Sequence, residues 1–241
     1  MNNKNKIWTA ILLLTVLVVS VSILVKGDPV GGSITSSSSD PGYSVSPVSR
    51  SDEGGTFTTM NLDATQQNYA WKAYIGNISG TLVLDDSNSK SIYGWSLSTL
   101  TGEIYASRWD NVTWSSISCA DATTIGNEES AVNMNAADVD SISNTFADTD
   151  HSAFTVAGTS LSSCPYTATY VNDTSQTVDA SSLFQQILIN DSSSYMVYAS
   201  SLEEDVQGYD NSSTFDFQVI LPDDDISGQQ TTYYFYVELD S

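Results

Sequence analysis

The sequence predicts an all-β protein: a β-sandwich with a short helical insertion, preceded by one N-terminal transmembrane or signal helix. Three observations carry this. From residue 56 onward, short stretches rich in Tyr, Val, Ile, Thr and Trp are separated by Gly, Asn, Asp and Ser. Several of those stretches alternate apolar and polar residues. One long segment, 120–150, breaks the alternation and reads as one or two short helices around Asn127-Glu128-Glu129-Ser130-Ala131-Val132. With 241 residues, 40% hydrophobic and 10% aromatic, the chain can bury a core of ordinary domain size. Two small sandwiches divided near Asp150 are compatible with the same pattern.

The first element is residues 1–26. Residues 7–25 read IWTAILLLTVLVVSVSILV, and at about 1.5 Å per residue this run matches a hydrocarbon core of about 30 Å. Lys4 and Lys6 precede it and Lys26 follows, which places the N-terminus in the cytoplasm and the rest outside. It is either a signal anchor, making a single-pass protein of the cell membrane, or a signal peptide whose removal releases a secreted body. Residues 27–55 contain four consecutive Ser (36–39) with Pro29, Pro41 and Pro47, and read as a flexible stalk that lacks the apolar side chains to offset ordering entropy.

Residues 56–241 form the body, an ectodomain in this reading. Strands are expected at 56–62, 69–76, 80–84, 91–97, 103–107, 112–116, 153–156, 167–171, 184–189, 195–200, 214–221 and 231–239. The last is the clearest, with Tyr233, Phe235, Val237 and Leu239 on one face and Tyr234, Tyr236 and Glu238 on the other. Residues 85–89, Asp-Asp-Ser-Asn-Ser, read as a hairpin loop.

Charge and chemistry narrow the function. The chain carries 7 basic against 29 acidic residues, formally −22; beyond residue 26 only Arg50, Lys72, Lys90 and Arg108 remain basic, giving −25. Nucleic acid and anionic lipid headgroups are excluded as partners, because both are bound by Lys and Arg. Cys119 and Cys164 are the only cysteines, and in an exported chain they are expected to form one disulfide. Asn77, Asn111, Asn172, Asn190 and Asn211 begin Asn-x-Ser/Thr sequons beside expected turns. No nucleophile motif, zinc motif or phosphate loop occurs, and the one histidine, His151, reads as a surface residue in a polar loop. No enzyme is therefore expected, the residual enzymatic reading being a carboxylate-based hydrolase. No cofactor is implied. Calcium is the one cation the acids suit, with Asp138, Asp140, Asp148, Asp150 and the run 223–225 as the densest groups, although none completes an EF-hand. Trp71 and Trp95 are the candidates for a carbohydrate platform.

The segment Gln66-Gln67-Asn68-Tyr69-Ala70-Trp71-Lys72-Ala73-Tyr74-Ile75-Gly76-Asn77-Ile78-Ser79-Gly80, with Tyr93-Gly94-Trp95 and the C-terminal Tyr233-Tyr234-Phe235-Tyr236-Val237-Glu238-Leu239, resembles a family of exported archaeal surface proteins. The resemblance implies an archaeal envelope protein and supplies no catalytic residues. The expected partners are the membrane, through residues 7–25, and an extracellular glycan or envelope protein. The function expected is structural or adhesive, with a carbohydrate-binding module or a surface-filament subunit as alternatives. The filament reading rests on the β-prone C-terminal strand, which suits pairing with a neighbour's open edge.

Overall fold

Most of the alternating segments pair as antiparallel strands. The structure, a computed structural model, describes residues 27–42, 46–97, 99–224 and 229–240. In chain order the strands are β1 (Val30–Gly31), β2 (Trp71–Gly76), β3 (Leu82–Asp85), β4 (Ser91–Trp95), β5 (Gly102–Ser107), β6 (Ser118–Cys119), β7 (Phe154–Val156) and β8 (Thr159–Leu161), then β9 (Tyr166–Ala168), β10 (Gln185–Asn190), β11 (Met196–Ser201), β12 (Val206–Gln207), β13 (Thr214–Phe215), β14 (Phe217–Pro222) and β15 (Tyr234–Leu239). Two helices, α1 (Ala122–Ala131) and α2 (Ile142–Thr145), occupy the segment that lacks alternation. Each begins at an N-cap: the Asp121 carboxylate accepts from Thr124 N at 2.8 Å and the Ser141 hydroxyl from Asn144 N at 3.2 Å. Among the described residues no helix is long and apolar enough to cross a membrane, and the apolar run 7–25 lies outside them.

Seven strands form one sheet in the order β1-β15-β5-β11-β10, and the far edge of β10 is shared end to end by β6 and β9. Cys119 pairs with Ile189 and Tyr166 with Ile187, so the two short strands are halves of one edge strand. The chain leaves that strand after Ala120, makes both helices and the β7–β8 hairpin, and rejoins it at Pro165, whose carbonyl accepts from Leu188 N. The Cys119–Cys164 disulfide pinches the base of this excursion, closing a 45-residue separation with the Cα atoms 4.8 Å apart.

The sheet is buried on both faces, and strand alternation assigns its residues. Ile104, Ala106, Leu188, Met196 and Tyr198 face one core together with Phe235, Val237 and Leu239; Tyr105, Ile187, Ile189, Val197, Ala199 and Tyr236 face the other. The division of the last strand into two faces is thus as its alternation predicts. Over the first face lies the β2–β14 ribbon, with α1 and α2 beside it. Its coupling to the sheet explains a fully buried glutamine: Gln186 Nε2 donates to Ile220 O at 2.8 Å and its Oε1 accepts from Ile220 N at 3.0 Å. The side chain presents to β14 the donor and acceptor that a neighbouring strand would. Over the second face lie the β7–β8 hairpin and Trp114.

Three expectations need correction. Residues 56–62 form no strand: they find no partner, and Phe57 is 98% exposed. Residues 112–116 turn into a 3₁₀ helix at Trp114–Ser116, because Thr113 N is drawn to Asp191 Oδ2 at 2.9 Å and the Trp114 ring packs between Tyr105 and Tyr236. Residues 214–221 are two strands, not one. Buried Asp216 interrupts them, accepting from Ile78 N and Asp205 N through its carboxylate, and the chain changes partner there from β12 to β2. A strand that the alternation does not signal is β1, from the segment read as a stalk, which adds Val30 and Gly31 to the outer edge of β15.

Candidate functional site

Among the described strands, the β3–β4 hairpin is left largely exposed by the body. Leu82 pairs with Trp95, Val83 with Gly94 and Leu84 with Tyr93, and a bulge then shifts Asp85 opposite Ser91. Paired residues share a face, so Leu82, Leu84, Tyr93 and Trp95 line one side and Val83 and Ile92 the other. Ile92 is 80% exposed, Tyr93 60% and Trp95 49%, and Val83 and Leu84 are about half exposed. The Tyr93 and Trp95 rings meet edge to face at 5.0 Å. The turn is internally satisfied: Asp86 accepts from Lys90 N and Asn88 N, which holds its carboxyl below the usual carboxylate range, and Ser89 takes the left-handed conformation at φ 58°. A two-stranded ribbon of this size is marginal in water by itself. It is fastened at its base, where Ile78 N reaches Asp216 Oδ2 at 2.7 Å and Gly80 lies so close to the Leu239 side chain that a Cβ would collide with it.

The two tryptophans proposed for sugar lie in different settings. Trp95 is on this hairpin, whereas Trp71 is half-buried, donates its Nε1 to Asp140 O at 2.7 Å and packs on Phe146 at 6.2 Å between centroids. Its ring is used by the fold. Among the sequons, Asn77, Asn111, Asn172 and Asn211 are exposed, while Asn190 is half-buried with its amide donating to Asp191 O. Among the described residues no group of three or more His, Cys, Asp or Glu is arranged to hold a metal ion. Asp140 accepts from Asn68 Nδ2 and Asp150 from the Tyr166 hydroxyl, each at 2.7 Å; Asp138 and Asp148 are exposed and offer their carbonyls to Asn144 and Tyr166. His151 is not the surface residue its polar neighbours suggest. It is half-buried between Phe154 and Tyr166, and Nε2 accepts from Cys164 N at 2.9 Å while Nδ1 lies 2.6 Å from Ser152 O, an arrangement that requires the proton on Nδ1.

Two further polar groups escape sequence reasoning because only register brings them together. Glu103 on β5 and Glu238 on β15 are direct cross-strand partners, and both are buried. Glu238 Oε2 accepts from the Tyr105 hydroxyl at 2.7 Å and from Ala157 N at 3.0 Å, so the carboxylate ties the β7–β8 turn to the sheet. Burial first, and then the nearby carboxylates, drives the Tyr105 hydroxyl far above its ordinary value, keeping it a donor. The second group is the bidentate pair of Arg108 with buried Glu128 (2.8 and 2.7 Å), which joins the end of β5 to α1, while the neighbouring Glu129 accepts from Ser143 N and Oγ at the start of α2. Glu128 and Glu129 are thus used as internal braces.

No family model, no curated protein and no solved structure matches the chain.

Proposed function

We propose that the chain is a membrane-anchored, non-catalytic β-sandwich of the archaeal cell envelope, displayed outside the cell in a structural or adhesive role. The observation that carries this reading is the Cys119–Cys164 disulfide at the base of the helical excursion. Structural disulfides persist in oxidising compartments, and here one is joined to a chain that begins with an apolar run at 7–25. The acidic surface and the exposed sequons Asn77, Asn111, Asn172 and Asn211 fit the same location. Protease treatment of intact cells tests it: the body is expected to be cleaved from outside and to migrate differently with and without reductant. A body protected until the cells are lysed ends the proposal.

A second reading, a carbohydrate-binding module, is favoured by the exposed Tyr93–Trp95 pair. A glycan array decides it with Trp95→Ala as the control; Trp71→Ala is unsuited, because that ring also braces Asp140 and Phe146. Background binding removes the reading. The filament alternative is weakened by β1, which occupies the outer edge of β15 at Tyr236 and Val237, so an incoming strand would first have to displace it.

A further inference from the structure

The register of β1 fixes where the chain enters the body. Val30 lies opposite Val237 and Gly31 opposite Tyr236 in antiparallel pairing, so the residues before Val30 run on toward Leu239, the C-terminal end of β15. The chain after β2 leads to the same end. Tyr74 meets the Phe235 ring at 5.0 Å, Gly80 abuts Leu239, and β3 begins two residues later at Leu82. The entry of the chain from residues 7–25 and the root of the exposed hairpin therefore share one end of the sheet. Five steps separate Val25 from Val30, which span at most about 18 Å even when fully extended. Each arm of the hairpin, at about 3.3 Å per residue, is of similar length.

We propose that the β3–β4 hairpin is a second membrane contact, laying Leu82, Leu84, Tyr93 and Trp95 into the interfacial layer of the bilayer that residues 7–25 enter, with the Asp85–Asp86 turn left among the headgroups. The inference rests on the reading of residues 7–25 as a retained anchor. Its own support is independent of that reading: an apolar face on ordered strands, largely exposed among the described residues, ending in the two side chains that favour membrane interfaces. Charge selects the kind of surface. Asp240 bonds to Thr101 O and Leu202 N bonds to Gly102 O, which places Asp240, Glu203 and Glu204 at this same end. Such an end is repelled by anionic lipid and tolerated by a neutral headgroup layer, and the −25 carried beyond residue 26 opposes a second copy of the chain as the occupant.

The test uses the full chain, with its disulfide, reconstituted into nanodiscs of phosphatidylcholine and carrying one nitroxide at a time: Thr15→Cys in the apolar run, Leu84→Cys and Tyr93→Cys on the hairpin, and Ser193→Cys in the β10–β11 turn at the opposite end of the sheet. The collision ratio of oxygen to a water-soluble nickel chelate is expected to be severalfold higher at 84 and 93 than at 193, and highest at 15. Position 15 in the bilayer with 84 and 93 as wet as 193 overturns the hairpin contact and leaves the anchor standing. Position 15 as wet as 193 overturns both. Dipolar broadening between copies at 93, without the depth signal, assigns the hairpin to a second copy and likewise overturns the proposal. Hydrogen exchange of the unsubstituted chain supplies a check free of mutation: protection of amides 82–95 is expected in phosphatidylcholine discs and is expected to fall when half the lipid is phosphatidylglycerol. Equal exchange in both refutes the neutral-surface assignment.

Discussion

The β10–β11 and β3–β4 hairpins are both antiparallel, both short, and both written in apolar and aromatic letters, yet one is the most buried part of the protein and the other among the most exposed. In β10–β11 Ile187, Leu188, Ile189, Val197, Tyr198 and Ala199 are fully enclosed, because β5 and the split β6/β9 edge flank the pair and a core covers each face. In β3–β4 both faces are largely exposed, and among the described residues neither outer edge is paired. Strand propensity describes how well a side chain suits a pleated surface and is silent about what covers that surface. Burial on two faces is supplied by topology.

The largest expected effect tests what holds the buried pair's edge in place. Replacing both Cys119 and Cys164 by Ser removes the closure of a 45-residue separation, worth about 4 kcal/mol by the loop-entropy relation. Urea unfolding monitors the loss, while hydrogen exchange of residues 82–95 is expected to be unchanged. A loss below about 1 kcal/mol would mean that the split strand is held by its ladder alone. Next, Leu188→Ala opens a cavity in the centre of the sheet and is expected to cost about 3 kcal/mol in the same assay. An effect no larger than that of a surface substitution would show that the core relaxes around the missing atoms.

How much of this was legible follows from which interactions are local. The two faces of β15 were readable because alternation is a property of six adjacent residues, and the helical excursion because its absence is too. The Glu103–Glu238 pair was not, since it depends on a register between residues far apart in the chain. Nor was β1: two residues among Gly, Pro and Ser carry no period, and their strand exists only because β15 offers an edge. The exposed hairpin was legible as a hairpin, with its loop at 85–89, but an apolar strand lacking cover reads the same as one deep in a core. Trp71 and Trp95 were indistinguishable for that reason.

The joint between the two regions is Asp216. Asp216→Ala leaves Ile78 N and Asp205 N without their acceptor, at about 2 kcal/mol, and is expected to speed exchange across 77–95 more than in β10. Asp216→Asn keeps one acceptor oxygen and should lose roughly half as much. Uniform acceleration of exchange would show that the hairpin root is not held separately. A smaller, pH-dependent effect belongs to the β2–β14 ribbon. Although desolvation opposes it, the Thr231 amide and Lys72 at 3.2 Å hold the Asp223 carboxyl below its ordinary value. A depressed carboxylate stabilises above the unfolded value, near about 4, and loses that contribution as pH falls through the folded one. Asp223→Asn is therefore expected to flatten the acid limb of stability by roughly 0.5 kcal/mol, the scale of a partly exposed pair. An unaltered limb assigns the acid sensitivity elsewhere.

The smallest effect is the most discriminating, because the comparison forbids a large one. Ile92→Ser and Trp95→Ala each delete a large apolar side chain from a strand, the kind of change that in β10 would remove several packing neighbours and leave a void. On β4 Ile92 is 80% exposed and the Trp95 ring, 49% exposed, meets the exposed Tyr93 ring, so little buried contact is lost and no enclosed cavity forms; the folded state exposes less apolar surface, and the unfolded state changes in the same direction. Stability in aqueous buffer is expected to move by less than about 0.5 kcal/mol for either change. A loss of 2 kcal/mol or more at Trp95 would mean that the hairpin packs against the body in solution and that its two faces are not free. If both changes are silent in water, the apolar letters of β4 serve something other than folding, and the difference between the two hairpins is one of purpose as well as of place.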